Sequence, residues 1–392
     1  MQNKIIPWSD NWWIENDKAW FCAGEFNALF CVDLNTQQCE LLARIPECSI
    51  KDFRLYPFCI KYKDIIFCLP DIGKNIWYYD IKHKTWGKIQ LNNKNRINVN
   101  IDCYKQDNKN LILIEEKSGM IFKINLEKRV VEEEYSVFLF DHTSDNVFGS
   151  VYALMNDKIY YPINTKIFEL DINKKEAVLY QDGSSIGAKQ YCICYDNDHF
   201  WLNGYSKEIY ICNKAGRMVN TIIEYPSKLE DNYCQSEELL FLTRLIPLGN
   251  YIWCIPFQLN EIMYIHKDSF EISVLEIPEE RQTVESVKDN LVGHKYLVEY
   301  IREDRYIGIY SLKNQWIFEI DTYELCVKRK EYTLSNTSMQ NLVKVCSAEK
   351  VALSEKNNLE RILFSMILDS RYENRSNRQW NIGEMVFQNL CS

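Results

Sequence analysis

The chain has 392 residues, 46% of them hydrophobic and 14% aromatic, and its 55 Asp and Glu outnumber 46 Lys and Arg for a net charge of -9. That length holds two ordinary domains or one large closed repeat fold, and the aromatic content favours strands, where rings pack well on a pleated surface. The acidic balance argues against a protein that chiefly binds nucleic acid, which needs basic surface to displace condensed counterions.

The opening stretch, "MQNKIIPWSDNWW", lacks an apolar run followed by a small-residue cleavage site, so no secretory signal is expected. No segment reaches the roughly 20 apolar residues needed to span a bilayer. The longest apolar stretch, Leu245 to Phe257, is broken by Asn250 and two prolines. A cytoplasmic location follows as the expectation. The 15 cysteines sit mostly inside apolar runs such as "WFCAG", "LFCVD", "IIFCLP" and "YIWCIPF", which reads as reduced, buried thiols. Cys192 and Cys194 in "YCICY" share a strand face, the start of a zinc site, but no second Cys or His pair of usable spacing accompanies them. Neither a metal nor a cofactor is expected.

In chain order, seven segments align on a polar residue that ends an apolar run: "LFCVDLNTQQ", "IWYYDIKHKT", "IFKINLEKRV", "IFELDINKKE", "IYICNKAGRM", "IMYIHKDSFE" and "IFEIDTYELC". The anchors are Asp33, Asp80, Asn125, Asp171, Asn213, His266 and Asp321, at intervals of 42 to 55 residues. Two further short apolar runs precede each hairpin, for example "PFCIKY" then "DIIFCLP". Four strands per unit, separated by Asp, Asn, Lys and Gly, is the signature of a propeller blade. A short acid or amide at the anchor can accept a backbone N–H two residues on and fix the turn that follows, a structural role preferred here over a catalytic one.

The expectation is therefore an all-β, seven-bladed β-propeller of four-stranded blades over residues 1–332, with a helical tail over 333–392. How the ring closes is open: "KIIPW" could add a strand to the last blade, yet the seventh unit already holds four apolar runs. Two extended loops, "PSKLEDNYCQSEE" and "EERQTVESVKD", separate units five, six and seven and are natural places for partner contacts. The seven units resemble kelch-type and other cryptic bacterial β-propellers. Unit two, with "WYYD" followed by Trp86, comes closest, whereas the glycine doublet of a kelch repeat is missing throughout.

In the tail, Leu359, Ile362, Leu363, Met366 and Ile367 draw an apolar stripe of helical period, with Ser354 as its cap. In "NIGEMVFQNL", Asn381 and Glu384 can form a capping box for a short helix bearing Met385 and Val386. This last stretch is similar to a C-terminal segment of proteins from bacterial surface-polysaccharide gene clusters. The two helices either fold back on the propeller or dock in a groove of another chain.

No GxSxG, HExxH, P-loop or GxGxxG occurs. Of five histidines only His142, in "LFDHTSD", lies in a long loop beside carboxylates, where a metal or general-base role competes with that of a solvated side chain. The loops expected around one end of the axis carry Glu25, Asn27, Asp71, Lys74, Asn75, Asn164, Asn203, Lys207, Gln258, Asn260 and Asn314. Beside Phe26, Tyr205 and Phe257, such carboxamides can hydrogen-bond and stack on a sugar, or they are ordinary turn residues. The preferred reading is a non-enzymatic scaffold that engages a protein partner through loops and tail. The alternative is a carbohydrate-related protein, either a glycan binder or a sugar epimerase or lyase, with its site in the central funnel; basic residues with a His or carboxylate pair pointing into the funnel would favour the enzyme, and a flat aromatic face the protein partner.

Overall fold

In a computed structural model, residues 7–349 are described except for position 8 and the stretches 53, 72, 92–98, 106–108, 116–119, 138–151, 157, 164, 182–189, 205–207, 223–241, 257–260, 278–295 and 312–315. Seven antiparallel sheets follow one another along the chain. Blade one is β1 (Trp13–Glu15), β2 (Lys18–Ala23), β3 (Ala28–Asp33) and β4 (Gln38–Arg44). Blade two is β5 (Phe58–Tyr62), β6 (Ile65–Leu69), β7 (Asn75–Asp80) and β8 (Thr85–Gln90). Blade three is β9 (Val99–Lys105), β10 (Asn110–Glu115), β11 (Met120–Asn125) and β12 (Val130–Ser136). Blade four is β13 (Ala153–Met155), β14 (Lys158–Ile163), β15 (Lys166–Asp171) and β16 (Glu176–Gln181). Blade five is β17 (Gln190–Tyr195), β18 (His199–Gly204), β19 (Ile209–Asn213) and β20 (Met218–Ile222). Blade six is β21 (Leu242–Leu248), β22 (Tyr251–Pro256), β23 (Glu261–His266) and β24 (Ile272–Glu276). Blade seven is β25 (Tyr296–Arg302), β26 (Tyr306–Ser311), β27 (Trp316–Asp321) and β28 (Cys326–Lys330). The protein is a seven-bladed β-propeller, as its sequence repeat predicts.

The ring exists because both faces of each blade's second strand are apolar. In β6, β10, β18 and β22 nearly every residue is buried, the pattern of a strand covered on two sides. Each blade thus offers one layer of side chains to each neighbour. The layer between blades one and two holds Trp20, Cys22, Leu29, Cys59, Ile66, Cys68 and Trp77; that between six and seven holds Trp253, Ile262, Ile307 and Phe318. None of the twelve described cysteines forms a disulfide, and nine of them are buried. Burial pushes the thiols of Cys48 and Cys192 up to about 12.

Every anchor is the last residue of a third strand. Asp33 Oδ1 accepts the N–H groups of Asn35 (3.0 Å) and Thr36 (2.8 Å). Asp171 and Asp321 repeat the arrangement at 3.0–3.2 Å, and His266 Nδ1 does so with Asp268 and Ser269 at 3.3 Å. In six of the seven turns the residue four past the anchor, Gln37, Lys84, Arg129, Lys175, Phe270 or Leu325, has φ between 50° and 60°. The anchor holds a type I turn and the left-handed residue returns the chain to the fourth strand. In blade five Gly216, three past Asn213, takes this role at φ 73°.

The ring closes at blade one. Residues Thr333–Leu334 form β29, which runs parallel to β4 at its outer edge, opposite Gln38 and Cys39. A helix, α1 (Asn336–Glu349), follows; it falls within the helical tail expected from residue 333 onward but ahead of the stripe that starts at Leu359. Ser335 caps it by accepting the Ser338 N–H (3.2 Å). Leu334, Leu342 and Cys346 are buried in the seam between blades seven and one with Phe30, Tyr310 and Tyr332. The expected helices carrying Leu359, Ile362, Leu363, Met366, Ile367, Met385 and Val386 lie outside the described residues, as do both extended loops.

One close approach inside blade seven gives a test of this packing. Gly308 faces Tyr300 across β25 and β26, and a Cβ there would meet the Tyr300 ring at 2.2 Å. Tyr300 is buried and donates to Glu319 (3.0 Å), so the ring cannot swing away. Gly308→Ala is expected to cost about 1–3 kcal/mol in urea unfolding. An unchanged midpoint would show that the ring has room.

Candidate functional site

The loops after the second strands and before the first strands meet on one face, here called upper. Asn27, fully buried, fastens loop 45–57 there: its Nδ2 donates to the carbonyls of Ser49 (3.0 Å) and Asp52 (2.8 Å), and its Oδ1 accepts the Leu55 N–H (3.1 Å). Asn203, also buried, joins blade five to blade six by accepting the Leu242 N–H (3.3 Å) while its Nδ2 donates to the Glu208 carbonyl (2.8 Å). Glu25 is buried in the β2–β3 loop, and Lys74 is exposed beside half-buried Asn75 at the start of β7. Asn164, Lys207, Gln258, Asn260, Asn314 and His142 lie outside the described residues.

Asp71 is part of a charged constellation near the inner edges of the blades. Arg54, on loop 45–57, places Nε 2.8 Å from Asp71 Oδ2 and Nη2 2.9 Å from Asp10 Oδ2. Asp10 precedes β1 and is held by its own N–H on the Pro57 carbonyl (3.2 Å). Next to it, Asn11 pairs like a strand residue with the backbone of Cys59 in β5, donating at 2.8 Å and accepting at 2.9 Å. The backbone N–H of Trp12 donates to the Glu299 carbonyl in β25 (2.6 Å). Residues 9–12 therefore bridge the innermost strands of blades seven and two.

Glu299 reaches this place through a β-bulge. Val298 pairs with Ile309 and Tyr300 with Gly308, which leaves Glu299 as the extra residue. Bulges re-aim side chains in this way, often next to functional sites. The Glu299 carboxyl is 1% exposed and accepts the Ser9 hydroxyl at 2.6 Å. Burial, reinforced by the charge of Asp10, holds its pKa well above the usual carboxylate range. Burial likewise raises Asp10 to about 6, although Arg54 pulls the other way. Both carboxyls are thus held toward the protonated form relative to a carboxylate in water. Displaced carboxyl pKa values that sit together mark candidate sites, although ion-pair networks that only hold the fold produce them as well.

Ser9, Asp10, Arg54 and Glu299 are the members that reasoning from loops misses, as is Arg244 in β21, whose charge is felt by Asp10. For Glu299 and Arg244 the trace in the sequence is a charge inside an apolar inner strand, as in "YLVEYI" and "LTRLIP". Elsewhere a cavity of about 470 Å³ opens on the lower face among Asp198, His199, Asn213, Lys214 and Ala215. Among the described residues no group of His, Cys, Asp and Glu is arranged to hold a metal ion, and no helix is long and apolar enough to cross a membrane. No protein-family model matches the chain, and no curated protein matches it.

Proposed function

We propose that this propeller binds a small, hydroxyl-bearing molecule of the carbohydrate class at the upper end of its axis. The observation that carries the reading is the nearly inaccessible Glu299 carboxyl, aimed by a bulge and tied through Ser9 to the N-terminal segment that carries Asp10, itself largely withdrawn from solvent. Carboxyl oxygens accept from hydroxyl groups, and a protonated carboxyl also donates, which suits neighbouring hydroxyl groups. The reading is tested by calorimetric titration of the full chain with glucose, N-acetylglucosamine, glucuronate and glucose 1-phosphate. At least one is expected to bind with Kd below about 1 mM and to weaken at least tenfold in Asp10→Asn. Failure of all four to bind overturns the proposal.

A second reading, a scaffold for a protein partner, draws support from the outer strands of blades three to five. There Val130, Val178, Leu179, Met218 and Val219 are exposed in three successive blades, more aliphatic surface than isolated exposed residues provide. With Val178→Glu and Val219→Glu, a partner on this rim is lost while sugar binding is retained.

A further inference from the structure

Five described arginines are half-buried: Arg44, Arg54, Arg244, Arg302 and Arg305. Four of them meet carboxylates. Arg44 pairs with Glu349 at 2.7 Å, Arg54 with Asp10 and Asp71, Arg302 with Glu319 at 3.0 Å, and Arg305 with Asp321 at 2.6 Å. Arg244 has no hydrogen-bond or ion-pair partner among the described residues. A guanidinium taken partly out of water with no anion beside it is costly, and its planar fork is suited to carboxylate or phosphate.

Its position makes this more than a loose surface charge. Arg244 is the third residue of β21, the innermost strand of blade six, and it too follows a bulge: Leu242 pairs with Pro256 and Arg244 with Ile255, leaving Thr243 as the extra residue. Thr243 donates its hydroxyl to the Ile255 carbonyl (3.2 Å), which fixes the bulge. The charge of Arg244 is felt both by Asp10 and by Cys192 of β17 in blade five. Carried on the innermost strand, the guanidinium therefore lies on the inner side of the ring, within electrostatic reach of Asp10.

We infer that the axial ligand is an anion, its carboxylate or phosphate held by Arg244 while its hydroxyls meet Asp10 and Glu299. This deepens the function proposed above and rests on it for the hydroxyl contacts alone. Among the described half-buried arginines Arg244 is the one left for the anionic group, because Arg54 is already taken by two carboxylates.

The test compares glucuronate and glucose 1-phosphate with neutral glucose, by calorimetry, on the full chain and on Arg244→Gln and Arg244→Lys. At least one of the two anions is expected to bind tenfold or more tighter than glucose, to lose that advantage in Arg244→Gln and to keep part of it in Arg244→Lys. Which anion binds tells carboxylate from phosphate. Because Arg244 bonds to nothing described, Arg244→Gln is expected to leave the thermal midpoint unchanged or raised, so lost binding is not lost folding. If glucose binds as well as the anions, the anion inference fails and the carbohydrate reading stands. If an anion binds equally to Arg244→Gln, the inference fails as well. If an anion binds through Arg244 but is indifferent to Asp10→Asn, the hydroxyl contacts fail and the anion site stands. If no sugar binds at all, both are overturned.

Discussion

Ending the chain after Tyr332 is expected to destabilise it by about 5 kcal/mol relative to a chain ending at Glu349. The difference between the two is β29 and α1, and both act on blade one. Thr333 donates to the Gln37 carbonyl (3.0 Å) and Ser335 to that of Cys39 (2.9 Å), covering an outer edge that would otherwise present unpaired backbone. Farther along β4, the Leu41 N–H finds the Ser338 hydroxyl at 2.8 Å. Leu334, Leu342 and Cys346 are nearly inaccessible in the seam, and burying a leucine is worth roughly 1.5–3 kcal/mol. Urea midpoints of the two truncations give the number directly; equal midpoints would mean that the clasp contributes nothing. Leu342→Ala isolates the packing part and should cost about 2–5 kcal/mol.

The clasp also reaches the charged constellation around Arg54. Glu349, the last residue of α1, accepts the Ser49 hydroxyl and the Ile50 N–H (3.1 Å), and it pairs with Arg44. Ser49 and Ile50 belong to loop 45–57, whose Arg54 holds Asp10 and Asp71. A partner lost on truncation at Tyr332 would therefore not place its contact in the tail, because the truncation disturbs the upper face as well. Truncation after Glu349 separates the two effects.

The blades are legible in the sequence because their rules are local. An acid or amide ending an alternating run, then a turn four residues long, repeats at Asp33, Asp80 and Asp171 whatever the rest of the chain does. The clasp is not legible, since β29 has two residues and pairs with a strand some 295 positions away. Its helix carries Leu342 and Cys346 inward, but this stripe is shorter than the one at Leu359 to Ile367, which drew the reading further along the tail. For the site, loop chemistry leads to Asp71 but also to Asn27 and Asn203, whose amides are used up in fastening loops. Glu299 and Arg244 escape a reading by alternation because each sits at a bulge, where one extra residue shifts the facing of those that follow. Bulge positions depend on the partner strand.

Replacing Glu299 by Gln and Asp10 by Asn is expected to make the protein more stable at pH 8 than wild type, and about as stable at pH 4. An acid whose folded-state pKa lies above its unfolded value binds more protons in the native state, so stability falls as pH rises between the two values. For Asp10 that window runs from 3.8 to about 6. At about 1.4 kcal/mol per pH unit it corresponds to about 3 kcal/mol lost by neutrality. For Glu299 the loss starts near its ordinary 4.5 and continues upward, because its folded pKa lies well above that value. Gln keeps an oxygen for the Ser9 hydroxyl and removes the charge. Pairs such as Asp321 with Arg305, whose hydrogen bonds hold the Asp321 carboxyl down to about 2, tilt the profile the other way at acid pH, but they cancel when variant is subtracted from wild type. Thermal midpoints of the double variant and wild type from pH 4 to 8 should therefore diverge steadily above pH 5. Parallel curves would show that neither carboxyl is strained by its burial, and would remove the support that their raised pKa values lend to the proposed axial site.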